Sequence, residues 1–377
     1  MTGTHNSSTH PPLLPTTEED PINRLRLLRS RRVGVATYRR LLAEHGSAAN
    51  ALKQLPEIAK SAGVANYAPC PVGIVMSELK AANAAGARLL IEGTPDYPAM
   101  LSEISDAPPL LWALGQTALL QRPMIALVGA RNASSLGTRM AKRLAQDLSD
   151  AGFAVVSGLA RGIDTAAHHG ALNGGTIAVL AGGIDVVYPA ENADLANEIK
   201  QKGLILSEMP IGLQPQAKHF PMRNRIISGL AKAVIVVEAA AKSGSLITAR
   251  NALDQARDVL AVPGHPFDAR AAGCNLLLRD GATLVRNATD VIEAVGSADE
   301  PVPELPLAPP PAADRSLRDT AALHTMILSR LGPTPVAEDQ LLRDLAAPAT
   351  HIAPVLVDLE LDGKITRQAG GLLARTG

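Results

Sequence analysis

Between residues 122 and 296, short apolar runs alternate with helical patterns, and this alternation constrains the fold more than any other feature of the chain. Most of the apolar runs lack a polar alternation, which is typical of parallel strands covered on both faces. Helices are predicted between them, so we expect an α/β fold with a doubly wound, mostly parallel sheet. The predicted strands are Met124–Val128, Ala154–Ser157, Thr176–Leu180, Leu204–Ser207, Ala233–Val237, Val259–Val262 and Thr283–Leu284.

The composition of the 377-residue chain predicts smaller segments on either side of this sheet. Residues 1–20 are polar and rich in Pro, Thr and Ser, and are predicted to be a disordered tail. Residues 21–73 are predicted to form a small helical domain of the SAM-like or helix-hairpin-helix type, and the Rossmann-like domain is taken as 74–296. Residues 297–315 form a proline-rich linker. Residues 316–377 show the order of three helices and a hairpin that is typical of a winged helix.

Charge and cysteine content limit the classes of function. Lys and Arg number 36 and so do Asp and Glu, so a nucleic-acid site has to be a local patch. The two cysteines, Cys70 and Cys274, match no metal-ligand spacing and are too few for a disulfide framework. No window approaches the ~20 apolar residues of a membrane span, and no apolar signal core begins the chain. We expect a cytoplasmic protein that needs neither a metal nor a cofactor.

The densest positive charge of the sheet domain follows the fourth predicted strand. Guanidinium groups bind phosphates and aromatic rings stack on bases, so this run predicts a contact with single-stranded nucleic acid at the start of a helix. The alternative is a helix whose arginines are simply solvated. Asn224 is expected either to cap that helix or to touch the ligand. The basic, aromatic and polar residues of the run are Lys218, His219, Phe220, Arg223, Asn224 and Arg225.

Three further loops at the carboxyl ends of strands are rich in hydrogen-bond donors, and ligands of such sheets bind at this edge. The first is not the dinucleotide pattern GxGxxG, and Ser157 stands where an acidic ribose-binding residue would be needed, so NAD binding is disfavoured. An anion site of helix amides and a guanidinium remains. The third loop opens a helix, and its alternative interpretation is an ordinary N-cap. The candidate residues are Gly129 and Arg131, then Gly158, Arg161 and Gly162, then Ser243, Gly244 and Ser245.

Other polar residues of these loops have structural interpretations. Asp164 is expected to cap a helix, and His168 to be structural or solvated. Asp185 and Tyr188 are expected to hold neighbouring loops by hydrogen bonds, with ligand contact as the alternative. Asp164, Asp185 and Glu238 are the possible metal ligands or bases, but no two of them have short-motif spacing, and no P-loop, GxSxG or HExxH motif occurs.

The ordered series GAR…G, SGLARGID, GGIDVVYPAEN, SEMPIG, FPMRNRIISGL, VVEAAAKSGSLITA and AVPG resembles the DNA-processing protein A family, DprA or Smf, over about residues 85–296. The resemblance implies an extended Rossmann-like domain in a non-catalytic protein, commonly a homodimer. By the same resemblance, the protein is expected to bind and protect incoming single-stranded DNA and to load the RecA recombinase onto it in natural transformation. It also implies that the loops around Gly158, Gly162 and Ser243 line the DNA rim, and that Lys218 lies near the pocket lysine of the family. The positions that match the family's DNA pocket are Arg131, Phe220, Arg223, Asn224 and Arg225.

Two rival functions are considered beside this one. Nucleoside-monophosphate phosphoribohydrolases have a related fold, but their PGGxGTxxE loop is missing from the equivalent stretch, residues 238–248. An interaction scaffold is the second rival. It is motivated by the winged helix, whose second and third helices carry Asp339, Asp344, Asp358, Glu360 and Asp362 against Arg343 alone. This acidic region favours protein docking over contact with DNA phosphates.

Overall fold

The computed structural model describes residues 20–298, 317–332, 334–345, 349–368 and 372–376. The chain divides into two units, one up to Glu300 and one from Pro301. The predicted tail and linker, residues 1–20 and 297–315, therefore lie almost wholly outside the described residues. Residues 346–348 and 369–371, which precede the third helix and form the turn of the predicted hairpin in the winged helix, lie outside them as well.

The first unit begins with three helices that pack around Leu27, Tyr38 and Leu41. A fourth helix joins this bundle to the sheet. Its Glu78 accepts two hydrogen bonds from the Arg29 guanidinium, at 3.0 and 2.8 Å, and one from Trp112 Nε1 at 3.0 Å. Because all three side chains are largely buried, this shared carboxylate holds bundle and sheet together. The helices are α1 (Asp20–Leu28), α2 (Val35–His45), α3 (Ala48–Ser61) and α4 (Val72–Ala84).

Nine strands form one sheet, in which the strands from β3 to β9 run parallel and β2 is antiparallel to both β1 and β6. The strands are β1 (Arg88–Ile91), β2 (Leu110–Gly115), β3 (Met124–Val128), β4 (Ala154–Ser157), β5 (Thr176–Val179), β6 (Leu204–Ser207), β7 (Ala233–Val236), β8 (Asp258–Ala261) and β9 (Thr283–Leu284). Their spatial order is β1-β2-β6-β5-β4-β3-β7-β8-β9. The predicted doubly wound, mostly parallel sheet is confirmed.

Helices cover both faces of the sheet, which explains the continuous apolar character of its strands. In β3, Ala126 and Val128 face the core formed with α9, α10 and α11, while Ile125 and Leu127 face the core formed with α6, α7 and α12. The helices are α5 (Ala99–Ser102), α6 (Ser135–Asp150), α7 (Ile163–Ala171), α8 (Ala193–Lys202), α9 (His219–Leu230), α10 (Ser245–Asp254), α11 (Ala272–Arg279) and α12 (Ala288–Val295). Across the residues that the structure describes, every helix is too short or too polar to cross a membrane.

The direction of winding reverses at β3, because β4 lies on one side of it and β7 on the other. Loops that leave β3, β4, β5 and β7 therefore converge at the carboxyl edge, where sheets of this class bind their ligands. Helix α9 crosses from β6 to β7 and begins at the same edge. Its apolar residues Ile226, Ile227 and Leu230 are buried, as predicted.

In the part of the second unit that the structure describes, there are three helices and a three-stranded antiparallel sheet in the order β10-β12-β11. Its core is apolar and includes Ile327, Leu341, Leu356, Ile365 and Leu373. The elements are α13 (Leu317–Arg330), β10 (Val336–Ala337), α14 (Glu338–Leu345), α15 (Ala349–Leu361), β11 (Ile365–Gln368) and β12 (Leu372–Arg375). Their order is that of the predicted winged helix.

Candidate nucleic-acid interface

The loop after β3 is fixed by a cap and by a carboxylate from a neighbouring loop. Ser134 Oγ accepts a hydrogen bond from the amide of Gly137 at 2.9 Å, which caps α6. The carboxylate of Glu238, just after β7, accepts bonds from the amide and the hydroxyl of Ser134, at 2.9 and 2.5 Å. Glu238 thus joins two loops of the carboxyl edge, while Arg131 remains exposed between them.

The loop after β4 packs against the loop after β3 so closely that its glycines have a steric role. Gly162 has a φ of 76°, and a Cβ there would lie 2.7 Å from the carbonyl oxygen of Arg131. Asp164 accepts hydrogen bonds from the amides of Gly158 and Ala160, at 3.1 and 3.3 Å. The structural interpretation of Asp164 is correct, although it ties the preceding loop and does not cap α7. Burial raises the pKa of Asp164, against the charge of Arg223.

Arg223 is the residue whose expected role the structure changes most. Its side chain is inside the protein, with only 4% of the residue exposed, and its Nη1 donates to the carbonyl oxygens of Gly158 and Val179, both at 2.6 Å. Burial lowers the pKa of Arg223 to about 10, while the nearby carboxylate of Asp164 acts in the opposite direction. Arg223 therefore holds the ends of β4 and β5 to α9 from inside the protein, where the sequence predicted an exposed contact with the ligand.

Arg225 also has its partners within the protein. Its Nη2 lies 2.5 Å from Glu208 Oε2 and its Nε lies 3.5 Å from Asp106 Oδ2, and 11% of the arginine side chain is exposed. The basic run has no carboxylate of its own, but the end of β6 and the segment before β2 supply them in space. Burial raises the pKa of Glu208, and the charge of Arg225 opposes that rise. The expectation that Arg225 faces the ligand is corrected for this reason.

Asn224 lies in the second turn of α9, which begins at His219, so it does not cap this helix. Its Nδ2 is 3.4 Å from the carbonyl oxygen of Gly244, in the loop after β7. In that loop the hydroxyls of Ser243 and Ser245 lie 2.7 Å apart, and Ser243 Oγ also accepts a bond from the Ser245 amide at 3.4 Å. The serine loop is thus folded on itself beside α9.

The groups that do face outward surround one pocket of about 330 Å³. The Arg131 guanidinium lies 5.1 Å from the centre of the Phe220 ring, and the Tyr188 ring lies 5.7 Å from that centre at an angle of 59°. These are distances for a cation–π contact and a tilted aromatic pair. The lining residues are Arg131, Asn132, Gly158, Ala160, Arg161, Tyr188, Pro189 and Phe220.

The predicted residues therefore divide into groups. Arg131, Gly158, Arg161 and Phe220 line the pocket together. Gly129 and Gly162 pack beneath it, since a Cβ on Gly129 would lie 2.6 Å from Ile163 and 2.9 Å from the carbonyl oxygen of Glu238. Lys218 is exposed just before α9 and is not part of the lining, nor are the residues of the serine loop.

Tyr188 was predicted to hold neighbouring loops, with ligand contact as the alternative, and its position favours the alternative. In the structure 53% of it is exposed, and it lines the pocket beside Phe220. The scarcity of aromatic residues, at 2% of the chain, is the sequence signal that favours this alternative. Asp185 does hold a loop as predicted, because its Oδ1 accepts a hydrogen bond from the Gly212 amide at 2.8 Å.

The two arginines of the pocket lining have different partners, because Arg131 lies over the Phe220 ring and Arg161 forms an ion pair. Arg161 lies at the pocket mouth with its Nε 2.6 Å from Glu191 Oε1, and both side chains are more than half exposed.

His168 beneath the loop after β4 is buried, with Nδ1 2.7 Å from Thr176 Oγ1. Burial, with the nearby Arg223, lowers its pKa to about 3, so it is a neutral structural residue, as predicted. Within the described ranges no His, Cys, Asp and Glu side chains cluster as metal ligands.

Comparison with known protein families identifies all three parts of the chain. Residues 88–296 match the family described as DNA recombination-mediator protein A, residues 18–81 match the DprA-like N-terminal HHH domain, and residues 309–371 match the DprA winged helix domain. Protein Smf of Synechocystis is 35% identical over 319 residues, which is 75% of this chain and 79% of that protein. DNA processing protein DprA of Streptococcus pneumoniae is 49% identical over 198 residues, which is 52% of this chain and 70% of that protein.

Solved structures agree with these relationships. The X-ray structure of DNA processing protein A from Streptococcus pneumoniae has a TM-score of 0.62 at 37% identity, and covers 72% of this chain and 98% of that one. A structure of the Helicobacter pylori protein, described for its single-stranded DNA binding mode, has a TM-score of 0.51 at 31% identity and covers 55% of this chain and 94% of that one. By sequence and by fold, the chain belongs to the DNA processing protein A (DprA/Smf) family.

Proposed function

We propose that this protein binds single-stranded DNA in the pocket formed by Arg131, Phe220 and Tyr188. The observation that carries the proposal is the set of contacts at this pocket, in which the Arg131 guanidinium lies over the Phe220 ring and the Tyr188 ring lies beside it. Aromatic faces accept any base, and guanidinium groups pair with phosphate oxygens. The single-stranded DNA binding described for the Helicobacter pylori relative supports the same ligand.

The chemistry of each side chain in the pocket indicates which part of the DNA it contacts. Phe220 and Tyr188 stack bases, which contributes about 1–3 kcal/mol per base. Arg131 and Arg161 contact phosphates, and each such contact adds about 0.7 to the slope of log affinity against log salt for single strands. Arg223 and Arg225 contribute indirectly, because they hold the strand ends and α9 on which the pocket is built.

Replacing Arg131 by glutamine tests this assignment. We expect oligo(dT) affinity to fall by roughly 5- to 150-fold and the salt slope to become shallower by about 0.7, with an unchanged thermal melt. Arg143→Gln is the matched control, since Arg143 is an exposed arginine about 12 Å from the start of α6, paired with Asp147 at 2.8 Å. Equal affinities of the two variants, measured by fluorescence anisotropy across a salt series, would exclude the pocket.

The proposed role is non-catalytic. Two carboxylates of the pocket loops, Asp164 and Glu238, are hydrogen-bonded to backbone amides and have a structural role, and Glu191 is paired with Arg161. The rival enzyme function predicts release of a free base from AMP or CMP, which chromatography of the incubated nucleotide detects. We expect no release above the rate without protein.

We further propose that the bound strand is handed to the RecA recombinase, with the protein acting as a homodimer. RecA filament formation on oligonucleotides coated with single-strand-binding protein tests the transfer, and sedimentation tests the dimer.

For the second unit we propose protein docking, because the Arg367 guanidinium is neutralised by Glu338 and, at 3.4 Å, by Glu360. Removing residues 316–377 is then expected to weaken RecA capture more than DNA binding.

A further inference from the structure

Phe267 is the most exposed large apolar side chain among the described residues. It lies in the loop between β8 and α11, and 94% of it is exposed. Its ring centre lies 5.5 Å from that of His265 at an angle of 39°, so the two rings form a small aromatic surface. Exposing a phenylalanine to water is unfavourable, and a surface of this kind is complementary to another flat ring.

The loop that carries this aromatic pair is anchored at its base. Gly264 and Asn275 exchange two hydrogen bonds, of 3.2 Å from the Gly264 amide and 3.0 Å to the Gly264 carbonyl oxygen. The Asp268 carboxylate accepts two hydrogen bonds from the Arg270 guanidinium, at 3.0 and 3.1 Å. The backbone carbonyl oxygen of Asp268 accepts a hydrogen bond from the Ala271 amide at 2.9 Å. Phe267 is therefore presented on an ordered loop, which reduces the entropy that a ligand contact would cost.

The same loop lies on the carboxyl edge of the sheet, and the loop after β7 connects it to the loop after β3 through Glu238 and Ser134. The Ala239 amide donates to the carbonyl oxygen of Arg270 at 2.7 Å, which joins the loop after β8 to the loop after β7. Strand β8 is the second neighbour of β3 in the sheet, a step of about 10 Å at the usual strand spacing. That distance corresponds to about three stacked nucleotides. Exposed Lys242 and the serine loop lie on the intervening segment.

We infer that Phe267, with His265 beside it, is a second base-stacking platform for the same DNA strand, which reaches it across the serine loop from the pocket at Phe220. The inference rests on the proposed function and extends it, because it adds a second contact point and a direction along the edge. The charged neighbours of Phe267 in its loop, Asp268 and Arg270, neutralise each other. This platform therefore adds stacking without adding a salt-dependent phosphate contact.

Replacing Phe267 by alanine separates the platform from the pocket. We expect oligo(dT) of about 16 nucleotides to bind roughly 5- to 150-fold more weakly, with an unchanged salt slope. A dinucleotide, which is shorter than the step of about three nucleotides between the pocket and the platform, should bind the variant and the unchanged protein equally. Leu253→Ala is the control, because Leu253 is 60% exposed near the other end of α10 and should leave both affinities unaltered.

A second variant, Phe267→Trp, reports on the contact directly. The natural Trp112 is buried, so the new indole supplies the change in fluorescence, which should be quenched by the longer strand and not by the shorter one. Equal binding of the longer strand by Phe267→Ala and the unchanged protein would overturn the platform, as would equal weakening of both strands. A loss of oligomer mass in Phe267→Ala would overturn it in favour of an interface with a second copy. If the unchanged protein binds neither strand, the proposed function fails and the platform with it.

Discussion

Replacing Arg225 by methionine decides whether this arginine serves the ligand or the fold. The side chain is 11% exposed and its guanidinium lies 2.5 Å from the carboxylate of Glu208, which is equally buried. Methionine keeps most of the volume and removes the charge. The variant thus leaves the buried carboxylate of Glu208 without its ion-pair partner.

The size of the effect follows from this geometry. Removing one partner of a buried ion pair costs about 3–5 kcal/mol, because the remaining charge is uncompensated. In a unit of this size a destabilisation of 1 kcal/mol lowers Tm by about 2 °C, so we expect a fall of about 6–10 °C at pH 7. The oligo(dT) affinity of the folded variant should change less than about 2-fold, since an indirect residue removes no phosphate contact.

The pH dependence provides an independent check. Burial already raises the pKa of Glu208, and the loss of Arg225 should raise it further. An acid whose pKa is higher in the folded than in the unfolded state favours folding at low pH, and this contribution is lost as pH rises through the folded-state pKa. The Tm difference between variant and unchanged protein should therefore shrink from pH 7 to pH 5. Adding Glu208→Gln to the variant should recover part of the stability at pH 7.

Calorimetry at both pH values and anisotropy at a temperature below both transitions make the measurement. If Arg225→Met melts like the unchanged protein but loses DNA affinity as Arg131→Gln does, the buried-pair reasoning is refuted. The arginine would then contact the ligand, as the sequence alone suggested.

Three further predictions concern the pocket. Glu191→Gln releases Arg161 from an exposed ion pair and should strengthen oligo(dT) binding about 1.5- to 5-fold in low salt, as seen by anisotropy. Tyr188→Ala should weaken binding by at least about 5-fold while Tyr188→Phe retains it, since stacking needs the ring and not the hydroxyl. Gly158→Ala should lower the free energy of unfolding by about 1–3 kcal/mol in denaturant titrations, because the new Cβ would clash with the buried Arg223 guanidinium. Gly244→Ala is the control and should leave this free energy unchanged, because there is open space around Gly244.

The fold was predictable because its signals are local and repeated. Apolar strands such as Met124–Val128 and amphipathic helices between them are recorded in short windows of the chain. The candidate site was predictable in part, since parallel strands place their carboxyl ends on one edge and Arg131 and Phe220 follow two such strands. The direction in which each side chain points around α9 was not predictable. A helix places neighbouring residues about 100° apart, so Arg223, Asn224 and Arg225 face different surroundings.

By itself, the sequence determined the α/β architecture, the edge that carries the candidate site and the abundance of arginine there. Only the tertiary structure decided how those arginines are used. Arg223 meets two carbonyl oxygens and Arg225 meets Glu208, partners that are distant or unmarked in the chain, while Arg131 stays exposed over Phe220. The physical reason is that burial and pairing of a charge depend on groups brought together from separate strands, and no local pattern records which ones will meet.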